Sequence, residues 1–214
     1  MNMRRAAPWL AAFLCFVATF SGARAEGPTS KLFPFEKATL VYALSGLQTG
    51  TQTTYIKDWG AVQAQNIDSI VSMMGFERPF KSKIITTPEW VYSIDTVTDT
   101  GMRMANPLGG LISSGETDPE VIVQRMMASL GGTKVGEDSQ GGQDCTIWEI
   151  RAASTRMCLR DDNVLVYTRT NMMGQTMEIN LVSLQTGTAD EEMFVVPDME
   201  YSDPPAGLQL PGAP

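Results

Sequence analysis

Apolar and polar residues alternate with a period of two through most of the chain. Lys37–Leu47 (KATLVYALSGL) alternates clearly, and Gly50–Trp59 is rich in the Thr and Tyr that suit a pleated surface. Ala61–Met74, Phe76–Thr87 and Trp90–Val97 continue the pattern. The breaks fall at Gln48-Thr49-Gly50, Asp58-Trp59-Gly60, Gly75, Thr87-Pro88-Glu89 and Thr98–Gly101, all turn-forming residues. Met102–Met104, Thr133–Asp138, Met177–Leu184 and Glu192–Val196 add short strands. Pro79 cannot donate a ladder hydrogen bond, so its strand is an edge or is bulged at that point. The pattern predicts a meander of antiparallel hairpins.

Only Thr117–Leu130 changes period. Val121, Ile122, Val123, Met126, Met127 and Leu130 give a wide apolar helical face. Thr117 with Glu120 forms a capping box, or Asp118 before Pro119 supplies the cap, and Gly131-Gly132 ends the helix. Asn106–Glu116 reads as loop from its Pro and Gly content. So wide an apolar face must pack on something broad, and the sheet is the available surface. The helix is then either a core plug or a lid over a cavity.

Gln143–Thr170 reads as three strands joined by two tight turns. A hairpin turning at Arg151–Ala152 opposes Cys145 to Cys158, Trp148 to Thr155, Thr146 to Met157 and Ile147 to Arg156. Side chains alternate between faces. Trp148, Ile150, Met157 and Leu159 therefore share an apolar face. Gln143, Glu149, Arg156 and Arg160 share a wetter face with the cysteines. This predicts a Cys145–Cys158 disulfide on the wet side. Asp161-Asp162 reads as a two-residue turn into Val164–Thr170, with Leu159 facing Val164 and Met157 facing Val166.

Residues 1–25 read as a cleaved export signal. Arg4 and Arg5 precede the apolar run Trp9–Phe20, and Ala23-Arg24-Ala25 is an A-x-A cleavage site. Residues 26–199 then form a single domain, and 200–214, rich in Pro and Gly, a disordered tail. Export places the protein in the periplasm, where a disulfide persists. No other stretch is apolar enough to span a membrane. Removing Arg4, Arg5 and Arg24 from the 16 basic residues leaves 13 against 24 acidic ones. That balance argues against a nucleic-acid partner, which needs Lys and Arg to neutralise phosphates.

The chain has no histidine. This excludes Ser-His-Asp and Cys-His catalysis and His-ligated zinc. Asp161-Asp162 and Glu191-Glu192 are adjacent acids of the kind that turns leave in water, so no enzyme and no cofactor are expected. Twelve methionines follow the export signal. They are dispersed, which suits apolar packing or an adaptable apolar pocket better than a copper site.

Together these elements resemble the LolA-like superfamily of bacterial envelope proteins, and its uncharacterised periplasmic members most. A signal precedes a strand meander, a helix interrupts it, further hairpins follow, and the last strand ends in Phe194-Val195-Val196-Pro197, an F-x-x-P pattern. The resemblance covers Lys37–Pro197. It implies an open half-barrel whose concave face is covered by helix, in a family that often binds acyl chains. The expected cavity lining is Trp90, Tyr92, Ile94, Ile122, Met126, Trp148, Ile150, Met157 and Leu159. The expected function is binding of a lipid, acyl chain or lipoprotein. The alternative is an envelope adaptor with a dry core and a protein partner.

Overall fold

The computed structural model describes residues 30–73, 75–140, 142–172 and 174–204. The expected export signal, residues 1–25, and residues 205–214 of the expected tail lie outside the described residues. Among the described residues twelve strands form one sheet that is open and curved, not closed into a barrel, so the expected open half-barrel with one principal helix holds. They are β1 (Ala38–Gly46), β2 (Gln48–Lys57), β3 (Val62–Met73), β4 (Phe76–Thr86), β5 (Trp90–Asp95), β6 (Thr100–Ala105), β7 (Gly132–Gln140), β8 (Gln143–Ile150), β9 (Thr155–Leu159), β10 (Leu165–Met172), β11 (Gln175–Thr186) and β12 (Tyr201–Ser202). The helices are α1 (Gly109–Ile112), inside the expected loop, and α2 (Pro119–Ser129). In spatial order the strands run β12-β6-β5-β4-β3-β2-β1-β11-β10-β9-β8-β7. Each half is a meander, and the β1–β11 pair joins them. Among the described residues only β12, on β6, is parallel.

β1 carries the central core. Ala38, Leu40, Tyr42 and Leu44 are all buried on one parity, while the alternate positions are half-buried or exposed. The β1–β2 turn depends on Gly46. Its φ is +87°, and an added Cβ would lie 2.0 Å from the Thr176 carbonyl oxygen, so another residue would clash as well as strain. In β4, Pro79 falls in the stretch 76–81 that β5 does not pair, as its chemistry requires.

The cap of α2 is Asp118, whose carboxylate accepts from the Glu120 backbone N–H at 2.9 Å, with Pro119 in the first turn. Leu130 caps the other end, and Gly131 follows with φ +68°. The segment before β1 ties both helices to the sheet. Ser30 N donates to Ile112 O at 2.7 Å and Lys31 N to Glu116 O at 2.9 Å. Asn163 Nδ2 donates to Leu32 O at 2.6 Å.

Four local expectations are corrected. The β8–β9 register is shifted by two, with Cys158 opposite Ile147 and Met157 opposite Trp148. A shift of two preserves every side chain's face, so the apolar set survives the error. The turn before β10 is longer than two residues: Arg160 N donates to Val164 O, and Asn163 takes a positive φ of 65°. Leu159 therefore meets Leu165, and Met157 meets Thr168. Glu191–Phe194 is a 3-10 turn instead of a strand, because the Asp190 carboxylate caps it through the Glu192 N–H. Tyr201–Ser202, placed in the disordered tail, is strand.

Candidate functional site

The pairing fixes which side chains share a face. One row runs from Trp148 through Met157, Thr168, Ile179, Leu44, Gly50 and Ser69 to Phe80, each residue directly opposite the next. Directly opposed residues point the same way. Helix α2 lies on this face: Val123 and Met127 pack on Leu159, with Met126, Trp148, Met157 and Leu165 partly buried around them. Ile122, one position before Val123, joins Leu32, Ala61 and Ile112, with Phe33, Leu108 and Leu111 packed against them.

Of the expected lining, Met126 of α2 and Trp148, Met157 and Leu159 of the sheet come together where the helix packs. Ile150 shares their face and is buried beyond them. Ile122 belongs to the neighbouring cluster. Trp90, Tyr92 and Ile94 lie on the opposite face, which corrects the single-lining expectation. Tyr92 opposes Ile85, which opposes Ala64. Ala64 is five positions from Ser69 on β3, hence on the other side. Alternation within β5 marked one apolar parity but not the face toward which it points.

The opposite face has its own cover. After β11 the chain crosses it, and Met193, Phe194, Val196, Met199 and Tyr201 pack on Ala64, Ile85 and Ile94. The Tyr92 and Tyr201 rings meet edge-on at 5.1 Å. Gly101 leaves the room, since a Cβ there would lie 2.8 Å from the Tyr201 ring. Glu191 anchors the crossing through Lys37 and, at 2.8 Å, Lys57. Hydrogen bonds from these two lysines hold its carboxyl down to about 2. Lys83 donates to the Glu192 and Val195 carbonyls, and burial lowers its pKa. This side is covered by the chain itself.

On the helix-bearing face of β3–β6 no such crossing is present among the described residues. Ile67, Val71, Ile84, Val91, Met102 and Met104 line it, each half-buried. Sequence reasoning passed over all six. In β5 the aromatic residues of the opposite parity give the stronger signal, and β3, β4 and β6 carry no comparable mark of which face is apolar. Small and polar side chains lie between them. Ser69 and Ser82 are buried, Gln48 Nε2 donates to Ser69 Oγ at 2.7 Å, and Ser69 Oγ donates to Phe80 O at 3.1 Å. Tyr42 is buried on the same face, and burial together with nearby Asp162 pushes its phenol well above the ordinary range. Trp148 Nε1 is buried and has no hydrogen-bond partner.

No family model matches the chain, and no curated protein matches it. Among solved structures, an uncharacterised conserved protein from Thermus thermophilus aligns over 78% of this chain and 90% of its own, at 10% identity and a TM-score of 0.47. LprF from Mycobacterium bovis aligns over 73% and 88%, at 9% identity and a TM-score of 0.33. Neither is near enough to assign a ligand.

The disulfide belongs to neither apolar region described so far. Cys145 and Cys158 are bonded across a Cα–Cα distance of 5.4 Å. They lie on the face away from α2, as the parity required, but that face is not wet there. Both cysteines are buried with Ile147 and Val166, and Tyr167 packs against them. The β7–β8 hairpin curls over: Tyr167 OH donates to Asp138 at 3.4 Å and Gln140 Nε2 to Asn180 at 3.1 Å. Two cavities of about 410 and 400 Å³ lie at this end, lined by Glu137, Asp138, Asp144 and Asp161 and by Gln143, Arg160 and Asp162. They are polar and far in character from an acyl-chain site. No His, Cys, Asp or Glu grouping suited to a metal ion is present among the described residues.

Proposed function

We propose that this is a non-enzymatic periplasmic binding protein that holds a lipid, an acyl chain or an acylated protein on the helix-bearing face of its sheet. The observation that carries the reading is the difference between the two faces of β3–β6. One is closed by the chain's own C-terminal crossing. The other holds six half-buried apolar side chains, beside a helix packed through methionines. Leaving apolar surface of this kind in water forgoes roughly 25 cal/mol per Å², so a ligand that covers it gains what the fold has not used. Methionine adapts to irregular apolar partners, which suits chains of varied shape. The expected LolA-like layout and the expected export signal of residues 1–25 support the same reading.

Native mass spectrometry of protein expressed with its signal and purified without detergent tests this. The expected species lacks residues 1–25, is lighter by one disulfide's two hydrogens, and carries lipid adducts that solvent extraction removes and added lipopeptide restores. Protein that arrives lipid-free and takes up neither fatty acid nor lipopeptide contradicts the reading. A second reading, an envelope adaptor, is favoured by the β3–β4 hairpin, where Phe76 is 79% exposed and Met73 and Ile70 are each 46% exposed. Exposed apolar side chains clustered on one hairpin suit a protein partner. A lipid-free protein with a specific periplasmic partner would favour it.

A further inference from the structure

We propose that Trp148 is the polar anchor of the ligand face, its indole N–H donating to the carbonyl oxygen of an acyl ester or acyl amide. The assignment rests on the binding reading above and adds the ligand's chemistry to it. Trp148 Nε1 is the one buried side-chain nitrogen or oxygen among the described residues with no hydrogen-bond partner. Folding removes this donor from water and returns nothing, which is unfavourable. An indole N–H only donates, so its complement is an acceptor.

The surroundings narrow that acceptor. Trp148 lies beside Met157 on β9, beneath Val123 and Met127 of α2, with Met126 partly buried next to them. Lys134 is opposite it on β7, but its Nζ is ion-paired with Glu137 and half in water at the sheet edge. A carboxylate brought under the helix would lose its hydration for a single neutral donor, a poor exchange. A neutral carbonyl oxygen needs only one donor. Its hydrocarbon chain would then run along the methionines and aliphatic residues of the same face.

The test uses pyrene-labelled chains of equal length ending in a methyl ester, an N-methyl amide or a plain methyl group. Each is titrated into the delipidated full-length mature protein and into Trp148→Phe. The wild type is expected to bind the ester and the amide about fivefold or more tightly than the methyl-terminated chain, the worth of one neutral hydrogen bond. Trp148→Phe is expected to bind all three alike, at the wild type's affinity for the methyl-terminated chain. The relative strength of ester and amide separates a glycerolipid-like ligand from a lipopeptide-like one. A variant that keeps the carbonyl preference, or that weakens equally for all three probes, overturns the assignment. A wild type that binds none of them overturns the binding reading itself. Indole N–H resonances of the ¹⁵N-labelled wild type provide a check that needs no variant. The Trp148 proton should move downfield with the ester and stay in place with the methyl-terminated chain; an unmoved resonance with both overturns the assignment.

Discussion

Replacing Cys145 and Cys158 together with alanine is expected to lower the unfolding free energy by about 3 kcal/mol and to leave ligand binding unchanged. The bond joins residues 13 apart in sequence. Closing a loop of that size restricts the unfolded chain by about 3 kcal/mol in the chain-entropy account. For a domain of this size each kcal/mol moves the Tm by about 2–4 °C, so the shift is about 6–12 °C. Burial adds to the effect: Cys158 is 0% and Cys145 4% exposed, and shortening both side chains leaves space beside Ile147 and Val166. Binding is spared because the bond sits on the face away from α2. Thermal melts with and without reductant read this directly. Reductant should bring the wild type toward the variant and leave the variant in place. A double variant melting within 2 °C of the wild type would show that the bond contributes no stability.

Two adjacent residues of β4 give the second large effect. Ile85 is 0% exposed beneath the C-terminal crossing, packed with Ala64 and Ile94. Ile85→Ala should cost about 2–5 kcal/mol, the usual range for emptying a closed core site. Ile84 points to the helix-bearing face and is half-buried. Ile84→Ala should cost roughly 1 kcal/mol, since only part of its surface leaves water on folding, yet it should weaken acyl-chain binding, which Ile85→Ala at a temperature well below its Tm should not. Urea unfolding and probe titration on the same two variants measure both. Equal stability losses would mean that both faces are closed core.

The architecture could be read from residue types because it depends on period and punctuation. The alternation in Ala38–Leu44, the turn glycines, the Asp118-Pro119 helix start and the Gly131-Gly132 stop are local signals, and each marks its element to within a few residues. The cysteine pair was also accessible, although its register was off by two, because parity tolerates an even slip. What could not be read was anything set by one distant segment covering another. Trp90, Tyr92 and Ile94 look like lining in their own strand. Only the return of Met193–Tyr201 across β3–β6 assigns them to the covered face. The same return makes Tyr201–Ser202 a strand, although Pro and Gly dominate the sequence after it. The curl of β7–β8 that dries the disulfide is likewise a tertiary event, held by Tyr167–Asp138 and Gln140–Asn180.

The account turns on which face meets the ligand, and two tryptophans report on it separately. Trp148 is on the helix-bearing face, while Trp90 is on the other, with Arg103 5.1 Å from its ring centre. The measurement is quenching by the methyl ester of a brominated fatty acid at saturation in two single-tryptophan proteins. One keeps Trp148, with Trp59 and Trp90 changed to Phe, and the other keeps Trp90, with Trp59 and Trp148 changed to Phe. Strong quenching of Trp148 with Trp90 left bright is the predicted result. Quenching of Trp90 with Trp148 left bright would contradict the account.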